Sequence, residues 1–277
     1  MHTEKNFSAP SSRLRHHALQ RGALLATTAA AVGVLSACGG GQEDAGSGNA
    51  PAPSGAHHKT DTRVLWVGDS IAGVEGLPLG AALKAAGTGY QDASSDGGGT
   101  VVEGNKTIAP LAQDTWKRLR KDIAAFRPTV IAYQITTYDW GTSDTQRSWY
   151  RKLAETAHSA GAGLAIVSAP PFKVDDFYTK YAGAIKTAPK AAAEVADASH
   201  GTVHFYDASA LWGTDPTAPK AQRSSDGIHS CQQGSAAFAK WFTEKLGKQY
   251  GFTPTSPDAW AGGAWTADQR YAKLGCR

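Results

Sequence analysis

The sequence predicts an α/β domain, a three-layer α/β/α sandwich on a five-stranded parallel sheet, and three observations predict it. Short apolar, β-prone runs alternate with longer helical segments from residue 63 to residue 206, the order that winds into a parallel sheet covered by helices. The first run, Arg63-Val64-Leu65-Trp66-Val67, is almost continuously apolar, as strands buried on both faces are. The segments richest in reactive side chains follow strand ends, and that edge is where open α/β sheets carry their ligands.

The first strand breaks sharply at Gly68-Asp69-Ser70, and a helical segment follows near 77–86. A helix starting near Ser70 would aim free N–H groups and a positive dipole end at negative charge developing there. A short second strand is expected near 90–93, before the glycine-rich loop Ser94-Ser95-Asp96-Gly97-Gly98-Gly99-Thr100. No Gly-Lys-Ser/Thr follows that loop, which speaks against a nucleotide cradle. Trp116, Leu119, Ile123 and Phe126 recur at helical spacing over 114–126, and Pro128 ends the segment. A third strand at 129–135, a helix at 146–160 and a fourth strand at 164–168 come next, and Pro170-Pro171 stops the last of these. A helical region then runs through Ala198 with an interruption expected around Pro189, and 203–206 is the fifth strand.

Residues 1–38 read as a targeting segment rather than as part of the fold. Arg13, Arg15 and Arg21 precede an uncharged stretch over 22–37, short for a membrane span, and Leu35-Ser36-Ala37-Cys38 resembles a bacterial lipobox. That resemblance implies export, lipidation of Cys38 and attachment to the outer side of the cell membrane. Residues 39–60, rich in Gly, Ala, Pro and Ser, read as a flexible tether. His57-His58 within it lacks further ligands at metal-binding spacing and is expected to be solvated. The folded domain is expected over 61–277.

The formal net charge of +4 misleads. Residues 1–38 hold four of the 28 Lys and Arg and one of the 24 Asp and Glu, leaving 24 against 23 for the rest. No strongly basic face is implied, so nucleic acid is a poor candidate partner, and no cofactor or metal motif stands out. Besides Cys38, the three cysteines include Cys231 and Cys276. In an exported chain these two are expected to form a disulfide, pinning the tail that carries Trp260 and Trp265.

The chemistry concentrates in two distant elements, Gly68-Asp69-Ser70 and Asp226-Gly227-Ile228-His229. Serine needs an adjacent base to act as a nucleophile at neutral pH, and histidine oriented by aspartate supplies one. Together these elements resemble the SGNH (GDSL) hydrolase superfamily. The run Ile228-His229-Ser230-Cys231-Gln232-Gln233-Gly234 is similar to that family's last block, and the resemblance spans 62–248. It implies a flavodoxin-like SGNH hydrolase fold, Ser70 as nucleophile, and His229 and Asp226 as the rest of a triad. It also implies an oxyanion hole from the Ser70 amide and a glycine of the second block. Spacing to Thr100 favours Gly98, with Gly97 and Gly99 as alternatives.

The third block departs from the family's Gly-x-Asn-Asp. Here it reads Thr136-Thr137-Tyr138-Asp139, with Tyr138 in place of the asparagine that donates to the oxyanion. The Tyr138 or Thr137 hydroxyl is the expected substitute, or the segment is structural. This block is more similar to SGNH domains attached to membrane acyltransferase-three proteins, which implies O-acylation of surface glycans and a membrane acyltransferase partner. Trp140, Trp149, Phe172, Tyr178, Tyr181 and Trp212 fall in or near the same edge, as platforms for a sugar or an acyl group or, more commonly, as core. His158, His200 and His204 lack motif context and read as structural.

The resulting expectation is an exported, lipid-anchored serine esterase acting on O-acyl (acetyl foremost) esters of a cell-surface glycan or on a small ester. An O-acyltransferase and a non-catalytic glycan-binding lipoprotein are the alternatives. Cys38→Ser is expected to move the protein from the membrane to the soluble fraction on cell fractionation. A chain beginning near Asp61 is expected to keep full turnover of a small activated ester.

Overall fold

One parallel sheet of five strands, in the order β2-β1-β3-β4-β5, organises the molecule. The strands are β1 (Arg63–Val67), β2 (Gly89–Asp92), β3 (Val130–Gln134), β4 (Gly163–Val167) and β5 (Val203–Tyr206). β1 is central and pairs with β2 through Val64↔Tyr90 and with β3 through Val64↔Val130. The chain reverses its direction of winding there, so the crevice beyond β1 and β3 is the switch point where ligands of such sheets bind. The structure is a computed structural model and describes residues 60–276. The expected signal segment, Cys38, His57-His58 and nearly all of the tether lie outside the described residues. Among those described, no helix is long and apolar enough to cross a membrane.

Among the described residues, eight helices flank the sheet: α1 (Ser70–Ala85), α2 (Ala109–Phe126), α3 (Ser143–Ser159), α4 (Asp176–Thr179), α5 (Ala182–Asp197), α6 (Ser209–Trp212), α7 (Gln232–Tyr250) and α8 (Gln269–Lys273). On one face, Leu65, Ile131, Tyr133 and Ile166 meet Trp116, Leu153 and Val195 from α2, α3 and α5. On the other, Val64, Trp66, Ala132 and Val167 meet Leu79 and Leu83 of α1 and Phe238, Phe242 and Leu246 of α7. Both faces of β1, β3 and β4 are thereby dry, which is why those strand sequences do not alternate.

Two expectations require correction. α1 begins at Ser70 itself, not at 77, although Gly73, Gly76 and Pro78 blur its periodicity. Pro78 has no amide to offer the Val74 carbonyl one turn back. The Tyr271 hydroxyl supplies the missing donor at 2.8 Å, and Arg270 Nη1 donates to the Gly73 carbonyl at 2.6 Å. α5 runs through Pro189 without a break, because Ala188, Ala191, Ala192 and Val195 bury one continuous face against the sheet. Among the aromatics, the commoner reading holds for Trp212, a core residue, and for Trp149, which packs partly buried against the core. Trp149 packs on Trp116, with ring centroids 5.9 Å apart, and Trp212 is fully buried against Phe238.

The C-terminal tail folds back over α1. Cys231 and Cys276, 45 residues apart, form a disulfide with Cα atoms 5.5 Å from each other. Closing a loop of that length contributes on the order of 4 kcal/mol in the chain-entropy account. Gln232 Nε2 donates to the Thr266 carbonyl at 3.1 Å, and Trp260 is buried in the core beneath α1 and α7.

Tyr271→Phe strips the Val74 carbonyl of its remaining donor and is expected to cost about 1–3 kcal/mol in urea unfolding. Pro78→Ala restores an amide at that turn, so the double variant is expected to lose less than Tyr271→Phe alone. Unfolding curves without that rescue would show that Tyr271 stabilises the fold by some other contact.

Candidate active site

The turn after β1 admits only glycine at its first position. A Cβ on Gly68 would stand 2.4 Å from the Ala72 Cβ. Asp69 then caps α1, its Oδ1 accepting the Ile71 amide at 3.0 Å. Its Oδ2 accepts the Thr137 amide at 2.8 Å and the Thr137 hydroxyl at 2.9 Å. Burial pushes the Asp69 carboxyl up from its ordinary value, opposed by the hydrogen bonds from Thr137 and Ile71. Ser70, half-buried, opens the first turn of the helix. Its own amide has no acceptor among the described residues, as the leading amides of a helix have none within it.

The second element is a hairpin closed by a backbone bridge between Arg223 and Ser230. Within it, Gly227 takes φ +73°, a conformation that favours glycine. The Lys173 amide donates to the Gly227 carbonyl at 2.8 Å, tying the loop after β4 to this turn. Asp226 Oδ1 accepts the Ser224 hydroxyl at 2.7 Å, the Ile228 amide at 2.7 Å and the His229 amide at 3.0 Å. Its Oδ2 lies 2.7 Å from His229 Nδ1, and His229 Nε2 lies 2.8 Å from Ser70 Oγ. Partial burial works against the Asp226 charge, but the hydrogen bonds from His229, Ile228 and Ser224 outweigh it and hold its carboxyl at about 2. An ionised Asp226 requires Nδ1 to carry the proton, which leaves Nε2 as the acceptor facing Ser70 Oγ. Ser70 and His229, 159 residues apart in sequence, therefore stand with Asp226 in one chain of hydrogen bonds.

The glycine loop corrects one expectation. The Gly98 amide donates to the Ser95 carbonyl at 3.1 Å, so it is not offered to a ligand. The loop is nonetheless fastened to the nucleophile turn, since the Ser95 amide donates to the Gly68 carbonyl at 3.1 Å. Gly99, buried against that same carbonyl, has an amide with no acceptor among the described residues. Gly97 also lacks one but sits exposed.

The third block is rebuilt around Asp139. Its Oδ1 accepts hydroxyls from Thr100 at 2.6 Å, Tyr133 at 2.6 Å and Thr136 at 2.7 Å, and its Oδ2 accepts Tyr150 at 2.7 Å. Burial raises the Asp139 carboxyl, and those four hydroxyls oppose it. The Thr137 hydroxyl is spent on Asp69, which removes it as an oxyanion donor. Tyr138 lies with its ring over Gly98, where a Cβ would come within 3.1 Å of it. Burial, with Tyr178 beside it, raises its hydroxyl well above the ordinary value, so it stays protonated.

Trp140 is buried and stacked on Tyr181 at 3.4 Å between centroids, and Phe172 and Tyr178 are buried with it beside Ile71. Phe177 in α4, which sequence reasoning passed over, is instead 53% exposed next to this cluster. A cavity of about 400 Å³ opens beyond β3 and β4, walled by Ile135, Ser168, Phe172, Val174 and Ile185. Phe172 belongs both to its wall and to the cluster around Ile71. Among the described residues no three His, Cys, Asp or Glu side chains converge as a metal site would require.

No family model matches the chain, and no curated protein matches it. Solved structures do. A candidate acylhydrolase from Bacteroides fragilis NCTC 9343 aligns over 70% of this chain and 91% of its own, at 15% identity and a TM-score of 0.51. A GDSL-like lipase from Bacteroides thetaiotaomicron VPI-5482 aligns over 68% and 88%, also at 15% identity and 0.51. The fold is that of these GDSL-like hydrolases.

The depressed Asp226 carboxyl has a defined signature. Its folded value of about 2 lies below the ordinary 3.8, so its contribution to stability is complete above about 4 and is lost as pH falls through 2. The stability difference between wild type and Asp226→Asn is expected to be constant above that window and to shrink below it, in denaturant unfolding at graded pH.

Proposed function

We propose that the protein is an exported, lipid-anchored serine esterase that removes O-acyl groups, acetyl foremost, from a cell-surface glycan or a small ester through an acyl-serine. The observation that carries this reading is the line Asp226–His229–Ser70, with contacts of 2.7 and 2.8 Å, ending at the first turn of a helix. The names of the like-folded proteins, an acylhydrolase and a lipase, agree with ester chemistry. Export and the anchor rest on the lipobox-like Leu35-Ser36-Ala37-Cys38.

His229 Nε2 takes the Ser70 proton as Oγ attacks the ester carbonyl. Asp226 holds the imidazole in its tautomer and balances the imidazolium. The oxyanion meets the Ser70 amide at the positive end of α1 and the Gly99 amide, which replaces Gly98 in this role. The protonated Tyr138 hydroxyl is the candidate third donor. Each such donor is worth about 3–4 kcal/mol in the transition state. The tetrahedral species collapses, the alkoxide leaves with the proton from His229, and an acyl-serine remains. His229 then deprotonates water, whose attack releases the acid and regenerates Ser70.

The second reading, an O-acyltransferase working with a membrane acyltransferase partner, is favoured by the rebuilt third block. It requires a bound hydroxyl to reach the acyl-serine before water does, which needs a second binding surface. Trp212 and Trp140 are both buried. The exposed Phe177 and the cavity behind Phe172 are what remain to form that surface. A purely glycan-binding role leaves the Ser70–His229–Asp226 line without a purpose.

Fluorophosphonate labelling is expected to modify Ser70. Ser70→Ala and His229→Ala are expected to abolish ester turnover with the fold intact by circular dichroism, and Asp226→Asn to keep a small residual rate. Turnover persisting in Ser70→Ala would end the serine mechanism. With an acyl donor and glycan fragments present, free acid is expected to dominate over acylated glycan. The reverse, with Phe177→Ala diverting flux back to free acid, would establish transfer.

A further inference from the structure

Beneath the triad loop lies a polar cluster that the hydrolytic steps leave unused. Glu75, one turn beyond Ser70 on α1, is completely buried. Its Oε2 accepts Gln134 Nε2 at 2.6 Å, and its Oε1 accepts the Ser230 hydroxyl at 3.0 Å. Gln134 is the last residue of β3, and Ser230 follows His229 directly.

The opposite end of the same hairpin also addresses this carboxylate. Arg223 pairs with Ser230 across the backbone bridge and is attracted by the Glu75 charge. Its Nε donates to the Ala221 carbonyl at 2.7 Å, its Nη1 donates to the Ile228 carbonyl at 3.1 Å, and its guanidinium lies 4.6 Å over the Trp212 ring. Its Nη2 is buried without a hydrogen-bond partner among the described residues. A buried carboxylate is costly unless it is well paired, and an apolar side chain would fill this space without that cost. Glu75 thus bonds one end of the 223–230 hairpin, at Ser230, and attracts the other, at Arg223, from the helix that starts with Ser70.

We propose that Glu75 is a positioning residue: by bonding Ser230 and attracting Arg223 it sets the hairpin height at which His229 Nε2 meets Ser70 Oγ. This rests on the serine-hydrolase reading given above. The charged and titratable groups facing Glu75 are Arg223 from the hairpin, Asp69 from the start of α1 and Tyr271 from α8. Burial raises the Glu75 carboxyl to about 7, opposed by Arg223 and by the hydrogen bonds from Gln134 and Ser230. It therefore ionises near neutrality, and its ionised form holds Ser230 by a charge-assisted hydrogen bond and attracts the Arg223 guanidinium.

The test uses the full chain and p-nitrophenyl acetate, with Ser70→Ala as the reference for the reading itself. Ser70-dependent turnover by the wild type comes first; its absence would strike the hydrolase reading and this inference with it. Given that turnover, Glu75→Gln removes the charge but keeps the shape, and Ser230→Ala removes the link from the other side. Each is expected to lower kcat by about 10- to 100-fold with KM little changed, the pattern of a misplaced base rather than of lost substrate binding. The double variant is expected to be no worse than the weaker single, since both break one connection. In Glu75→Gln the rise in kcat across neutrality that belongs to Glu75 is expected to vanish. Wild-type kcat in both variants, losses that multiply, or an unaltered pH profile would each overturn the proposal. If Glu75→Gln does not fold, Ser230→Ala decides alone: a wild-type kcat refutes the grip.

Discussion

The Asp69 carboxylate joins the two halves of the active edge. One oxygen holds the Ile71 amide in the first turn of α1 and the other holds both the amide and the hydroxyl of Thr137. The helix that presents Ser70 and the loop that follows β3 thus share one buried acceptor. Neither can shift without stranding a charged oxygen away from water, where an unpaired acceptor costs several kcal/mol. Asp139 repeats the device a layer deeper, gathering four hydroxyls from the second block, β3, the third block and α3. Hydroxyl donors, not packing alone, fix the relative height of the loops around the nucleophile.

The three central strands were legible because burial on both faces leaves an unmistakable apolar run, as in Val130–Gln134 and Gly163–Val167. The triad was legible as well, since Gly68-Asp69-Ser70 and Asp226-Gly227-Ile228-His229 each carry their chemistry in consecutive residues. The start of α1 was not. Gly73, Gly76 and Pro78 are poor helix formers, and what repairs the helix at Pro78 is a tyrosine 197 residues away in sequence from Val74. No local pattern encodes that. Pro189 misled for the related reason that apolar burial along α5 outweighed one missing donor. The oxyanion glycine failed differently. Gly97, Gly98 and Gly99 are identical by composition, and only the direction of each amide separates them. Asp69 carried a readable cap signal ahead of a helix, whereas nothing in the sequence set Glu75 apart from any surface glutamate.

The active edge is stiff where it does chemistry and open where it would meet a substrate. Trp140, Tyr181, Tyr178 and Phe172 pack into one aromatic block beside Ile71, so the residue after the nucleophile is walled by rings. Phe177 and Val174 stand out from that block into solvent, on the segment between β4 and α5. That segment is also tied to the catalytic hairpin through Lys173 and Gly227. A ligand resting against Phe177 would therefore press on an element fastened to the turn that holds Asp226 and His229.

The tail gives the domain an order in time. Synthesis delivers the first strand and Ser70 early, and the base that serves it follows 159 residues later. Tyr271 and Cys276, which complete the turn of α1 at Pro78 and tie down the start of the helix after the hairpin, leave the ribosome later still. The first helix thus waits for Tyr271, 197 residues beyond Val74, before its own hydrogen bonds are complete. A chain wired this way cannot mature strictly from front to back, because a long-range contact closes its first helix. Loss of the segment that carries Tyr271 would reach the nucleophile's helix from far along the chain.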